Sequence, residues 1–159
     1  MILVLLGTQN NSFHRLLEEI DKCIDEKIIE DEVIVQSGFT RYKSSNMKVF
    51  DLIPLEELDK LIDKADLIIT HGGVGSIIDS LKRNKKVIAV SRLKEYREHI
   101  NNHQLEVIEE FARKNFILGV QDAKDIRKAV IEAKDFVPKK YESGTSNIIN
   151  IIDNFIKSN

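Results

Sequence analysis

Thr70-His71-Gly72-Gly73-Val74-Gly75-Ser76 follows the apolar run Leu67-Ile68-Ile69 and precedes an amphipathic stretch ending near Asn84, and its reading decides the fold. An aliphatic run that stops at glycines and restarts with helical spacing predicts a strand, a tight turn and a helix. Three glycines let the backbone approach a ligand closely. The helix start behind them offers free N–H groups and a positive dipole end, a setting that suits a phosphate or diphosphate. Ser76 adds a hydroxyl donor. The same letters also describe a plain strand-to-helix turn with Ser76 as its cap. A P-loop is not expected, because no Gly-Lys-Ser/Thr ending is present. Nor is a dinucleotide fingerprint: Gly7-Thr8-Gln9, not Gly-x-Gly-x-x-Gly, follows the first strand.

Outward from this loop, short apolar runs alternate with longer amphipathic stretches. Strands are predicted at 2–6, 32–36, 48–52, 66–70, 86–90 and 116–118. Helices are predicted between them. The first is capped by Ser12, with Phe13, Leu16, Leu17, Ile20 and Ile24 inward. The second opens at Pro54, with Leu55, Leu58, Leu61 and Ile62 inward. Others run from about Gly75 to Asn84, from 102 to 114, from an acidic cap at Asp122 to Ala133, and from 146 to 156. Repeated strand–helix–strand order implies a parallel sheet with helices on both faces. The expected fold is α/β, one Rossmann-like domain over residues 1–159 with a mostly parallel sheet. Ligands in such sheets bind at the carboxyl ends of the strands, which singles out loops 7–11, 37–46, 71–76 and 91–104. The polar loop 40–46, carrying Arg41 and Lys43, is expected to be the most mobile.

Several polar residues near these loops are candidates for contact. Asp79, three residues after Ser76, shares its side of the helix and can accept hydrogen bonds from ribose hydroxyls, or merely complement the helix dipole. His103 and Gln104 can reach sugar hydroxyls, and Arg92 or Lys94 can face phosphate. A solvated charged loop leading into a capped helix reads the same way. His99 and His103 stand four apart, but Glu98 precedes His99 where a zincin helix has Glu after its first His, so no metal site is expected. His14 reads as a surface or half-buried residue and Cys23 as a buried thiol.

The bulk numbers narrow the classes further. A chain of 159 residues with a formal net charge of −2 gives no broad nucleic-acid footprint. Its single cysteine excludes an internal disulfide. The longest apolar run, Ile2–Leu6, falls far short of the roughly 18 residues of a membrane span and is too short for a secretory signal. A cytoplasmic protein is expected. A receiver-type signalling domain is disfavoured, because Gly7-Thr8-Gln9 stands where an acidic pocket would begin.

Val4-Leu-Leu-Gly-Thr8, Gln36-Ser-Gly38, Ala65-Asp66, Thr70 to Ser76, and the run Arg92 to Gln104 occur in this order across nearly the whole chain. Together they resemble the C-terminal, donor-binding half of GT-B glycosyltransferases of the family 28 type. The resemblance extends to free-standing catalytic subunits of two-part N-acetylglucosaminyltransferases and of exopolysaccharide or capsule β-1,4-galactosyltransferases. It implies a UDP-sugar donor, with Phe50 and Asp51 near the base, Asp79 on the ribose, and Gly73, Gly75 and Ser76 at the diphosphate. His103 and Gln104 would then read the sugar and Thr8 face the cleft, with His71, Arg92 and His99 as further phosphate or sugar contacts. It also implies metal-independent inverting transfer to a lipid-linked saccharide, no cofactor, and a membrane-associated acceptor-binding partner that recruits the chain to the cytoplasmic membrane face. The catalytic base is left unassigned. A nucleotide-sugar-binding module without transferase activity is the alternative reading.

Overall fold

The computed structural model describes residues 1–142. The strands are β1 (Ile2–Leu5), β2 (Val33–Gln36), β3 (Lys48–Phe50), β4 (Leu67–Thr70), β5 (Lys86–Val90) and β6 (Leu118–Val120). They form one sheet in the order β3-β2-β1-β4-β5-β6, every pair parallel. β1, β2 and β4 are buried at every position, whereas the edge strands β3 and β6 show exposed residues. That contrast explains why the central strands are unbroken aliphatic runs: both faces are covered.

Alternation along β1 sorts the layers. Ile2, Val4 and Leu6 share a core with helices α1 (His14–Asp25) and α5 (Ile126–Ala133). Leu3 and Leu5 face α2 (Leu55–Lys64). The helices α3 (Val74–Lys82) and α4 (His103–Arg113) pack on the same side, against β5. The chain leaves β1 toward β2 and β3, then returns to build β4, β5 and β6 on β1's other side. Such a reversal opens a crevice at the carboxyl ends of β1 and β4.

Tertiary contacts move several boundaries. Ser12 does not cap α1; the Phe13 N–H is taken by Thr40 Oγ1 at 2.9 Å, from the loop after β2. That loop is tethered, since Tyr42 and Ser44 both donate to Asp21 of α1 and Asn46 reaches Asp21 and Asp25. Leu55 is 74% exposed and not on the inner face of α2, whose one buried residue is Ile62. β6 begins at Leu118, because Phe116 and Ile117 are drawn into the core around α4 before pairing with β5 starts. Asp122 caps a 3₁₀ turn over Ala123–Asp125, accepting from Lys124 N at 3.1 Å, and only then does α5 follow. Cys23 is buried as expected, and burial raises its thiol pKa. The helix expected at 146–156 lies outside the described residues.

Candidate functional site

A cleft of about 490 Å³ opens where β1 and β4 end. Leu5, Gly7, Thr8 and Gln9 form one wall and His71, Gly73, Gly75, Ser76 and Asp79 the other, with Gln36, Leu58 and Ile62 at the side. Six expected site residues therefore meet: Thr8, His71, Gly73, Gly75, Ser76 and Asp79.

The glycines divide their work. Gly72 has φ +67°, and a Cβ there would stand 2.6 Å from Ile108 Cδ1, so this glycine serves the turn and the approach of α4. Gly75 differs. A Cβ on it would meet nothing within 4 Å. The fold does not require a glycine at that position, but the open cleft above it leaves room for a ligand. The N-cap of α3 is Gly73, so Ser76 stands inside the first helical turn and is not the cap. Helix geometry leaves the first-turn N–H groups of α3 without partners inside the helix, facing negative charge favourably. One turn on, the Asp79 carboxylate is half exposed and 3.7 Å from Arg83 Nε.

His71 forms the cleft floor, only 7% exposed. Burial, with the nearby Arg92 and His99 charges, lowers its pKa to about 4, so the ring is neutral near pH 7. A neutral imidazole can pack against the glycine turns without opposing the α3 dipole. The unfolded chain protonates this ring near pH 6.5 and the folded chain does so only near pH 4. Stability from this group is thus full above pH 6.5 and is lost as pH falls toward 4. Urea titrations should show a loss of about 2 kcal/mol between pH 7 and pH 5, absent from His71→Gln; an equal slope in the variant would refute the assignment.

Other expected contacts lie elsewhere. Phe50 ends β3 and is about half exposed at the sheet edge, joined to the cleft through its neighbour Gln36. Gln104 is buried beneath Gly72 and its Oε1 accepts from Arg92 N at 3.4 Å, so its carbonyl is committed to the fold. His103 is half-buried at the start of α4. His99 sits in the preceding loop, not on a helix, and its Nε2 is 3.2 Å from Gln9 Nε2. Among the described residues no group of His, Cys, Asp and Glu has the makings of a metal site.

Arg92 is a correction. It is 1% exposed and does not face phosphate. Its guanidinium donates to Leu6 O (2.6 Å), Asn11 O (2.6 Å) and Glu98 O (3.3 Å), tying the loop after β5 to the loop after β1. Burial lowers its pKa to about 10, against the pull of Glu98, and it remains charged. Glu98 is 2% exposed and accepts from Arg15 Nε (2.7 Å), Arg15 Nη2 (3.0 Å) and Leu93 N (2.9 Å). Arg15 continues to Asp122 at 2.9 Å. Sequence reading missed Glu98 and Arg15, since a charged run and a helical arginine carry no mark of burial.

A 3-2-1-4-5-6 parallel sheet with a cleft at its switch point, edged by a helix N-terminus and a carboxylate one turn on, defines a doubly wound α/β domain with its cleft where such folds place their ligands. The pattern of the Glycosyltransferase family 28 C-terminal domain matches residues 1–157, and the chain belongs to this family. It is 35% identical over 81 residues to the UDP-N-acetylglucosamine transferase subunit ALG13 of Candida albicans, covering 51% of this chain and 26% of the relative. The subunit of the same name from Candida glabrata is 29% identical over 123 residues, covering 75% and 59%. The chain therefore spans about a quarter and three fifths of the length of these relatives. The NMR solution structure of ALG13 superposes with a TM-score of 0.61 at 17% identity, covering 95% of this chain and 93% of that one, and shares its fold.

Proposed function

We propose that this chain is the donor-binding subunit of a split, inverting glycosyltransferase. It takes N-acetylglucosamine from its uridine diphosphate conjugate and passes it to a lipid-linked saccharide held by a membrane-associated partner. The observation that carries this reading is the cleft itself: open space over Gly75, unpaired N–H groups at the start of α3, and Asp79 one turn further on. The diphosphate meets the helix N-terminus, and the ribose hydroxyls donate to Asp79. As the bond to the sugar breaks, charge grows on the departing diphosphate where the α3 dipole and N–H groups already point. The acceptor hydroxyl attacks the anomeric carbon from the opposite face, its proton going to a general base. The names of the relatives favour N-acetylglucosamine over galactose. Leu52, after β3, and Leu55, the first residue of α2, are both well exposed and offer an apolar surface for the second protein to cover.

Asp79→Ala should weaken binding of uridine diphosphate by about 1–3 kcal/mol through lost charge-assisted hydrogen bonds. Calorimetry giving the wild-type affinity would take Asp79 out of the site. The reaction is proposed to need no metal, because N–H groups and hydroxyls address the diphosphate. Turnover by the reconstituted pair should then survive excess chelator, and loss restored by a divalent cation would contradict the proposal.

Among the described residues no helix is long and apolar enough to cross a membrane. Recruitment to the membrane is accordingly assigned to the partner.

A further inference from the structure

The first turn of α1 stands between two loops of the same make-up. On one side the Tyr42 ring meets His14 edge-on at 4.9 Å; on the other the Arg15 guanidinium lies 3.6 Å over the Tyr96 ring. The loop bearing Tyr42 also carries Phe39, 60% exposed, with Arg41 and Lys43 exposed beside it. The loop bearing Tyr96 carries Ile100, 78% exposed, with Lys94 and Arg97 exposed beside it. Neither loop's arrangement is casual. Thr40 and Tyr42 bond the first loop to α1, and Glu98 clamps the second to Arg15. The exposed apolar side chains are thus held out by loops fixed to one helix end.

Charge on this face is one-sided. Residues 37–46 contain no acid. Between 93 and 102 the acids are Glu95, which is exposed, and Glu98, which is buried on Arg15. Nearby, Glu18 is engaged by His14, and Asp21 by Tyr42 and Ser44. Arg41, Lys43, Lys94 and Arg97 form no side-chain hydrogen bond or ion pair among the described residues. The two loops thus carry four exposed cations against one exposed anion, with the half-exposed Glu18 carboxylate 3.1 Å from His14 beside them, on a chain whose net charge is −2.

We propose that this face, Phe39 and Ile100 with Arg41, Lys43, Lys94 and Arg97, rests on an anionic phospholipid surface. Apolar side chains bracketed by cations suit a bilayer interface, where the hydrocarbon enters the headgroup boundary and the cations meet lipid phosphates. The patch is small, so the contact is weak and reversible, and the partner keeps the anchoring role. Its effect is orientation: it turns the carboxyl-end loops, and the cleft between them, toward the surface that holds a lipid-linked acceptor. In that purpose the proposal rests on the function proposed above; in its chemistry it does not.

Flotation of the full chain with phosphatidylcholine vesicles, with and without a third of phosphatidylglycerol, tests it. Binding should require the anionic lipid and weaken with salt. Arg41→Glu with Arg97→Glu should reduce it about tenfold or more, and Phe39→Ser with Ile100→Ser should also reduce it. Both variants should bind uridine diphosphate like the wild type. No flotation with anionic vesicles, equal flotation with neutral ones, or wild-type flotation by both variants would overturn the proposal. So would flotation that occurs only with the second protein present and is lost in the variants, which would make the face a protein contact. A wild-type chain that floats but does not bind uridine diphosphate would leave the lipid surface standing and remove the donor reading.

Discussion

Given donor and lipid-linked acceptor but no second protein, this chain is expected to show almost no sugar transfer. Activity should rise by roughly five to eight orders of magnitude when the acceptor-binding partner is added. The described residues build one sheet, and every donor contact proposed lies between Thr8 and Gln104, at or near the cleft where β1 and β4 end. Binding of the donor needs only these. Transfer needs the attacking hydroxyl held in line with the anomeric carbon, and that positioning can supply about 7–11 kcal/mol of barrier lowering. A donor-side domain cannot provide it by binding donor more tightly, because uniform binding does not lower the chemical barrier. The measurement is initial rate with and without the partner, alongside calorimetry of uridine diphosphate on the chain alone. Equal rates would leave a self-sufficient transferase. Absent donor binding would remove the site itself.

What could be read from the sequence follows from which forces are local. β1, β2, β4 and β5 were visible within a residue or so, because a strand buried on both faces must be an unbroken aliphatic run, and such runs ended at Gly7, Ser37 and Gly72. β6 was misplaced by two residues. Phe116 and Ile117 look like strand residues, yet they fill the core beside α4, and only pairing with β5 distinguishes the two fates. The glycine turn, Ser76 and Asp79 were legible as neighbours in one cleft, because their placement depends on helix spacing alone. Arg92 was not. An arginine in a polar loop looks ready for phosphate, and nothing nearby in sequence says that Leu6 O and Asn11 O will claim its guanidinium. The bond from Arg92 N to the Gln104 side-chain carbonyl carries no local mark either. Distances of 81 and 86 residues along the chain carry no periodic signal.

Those long-range bonds make Glu98 the residue whose loss should destabilise the fold most. Its carboxylate is 2% exposed and accepts three N–H groups, while its own carbonyl accepts from Arg92. Removing one partner of a buried pair leaves the others without compensation, at about 3–5 kcal/mol. Glu98→Ala would strip Arg92 of the one acidic group that offsets its desolvation, and would leave Leu93 N unpaired. Arg15 suffers less, since it is a quarter exposed and keeps Asp122. Arg15→Ala should destabilise as well, because it leaves the buried Glu98 carboxylate with Leu93 N as its remaining hydrogen-bond donor. The double variant should cost less than the sum of the two, because both remove the same contact. Glu98→Gln keeps an acceptor for Leu93 N and should fall between the wild type and Glu98→Ala. Urea denaturation of the four variants decides the matter. Additive losses, or a Glu98→Ala chain as stable as the wild type, would mean that the loops after β1 and β5 are held together by apolar packing instead of by this buried charge cluster.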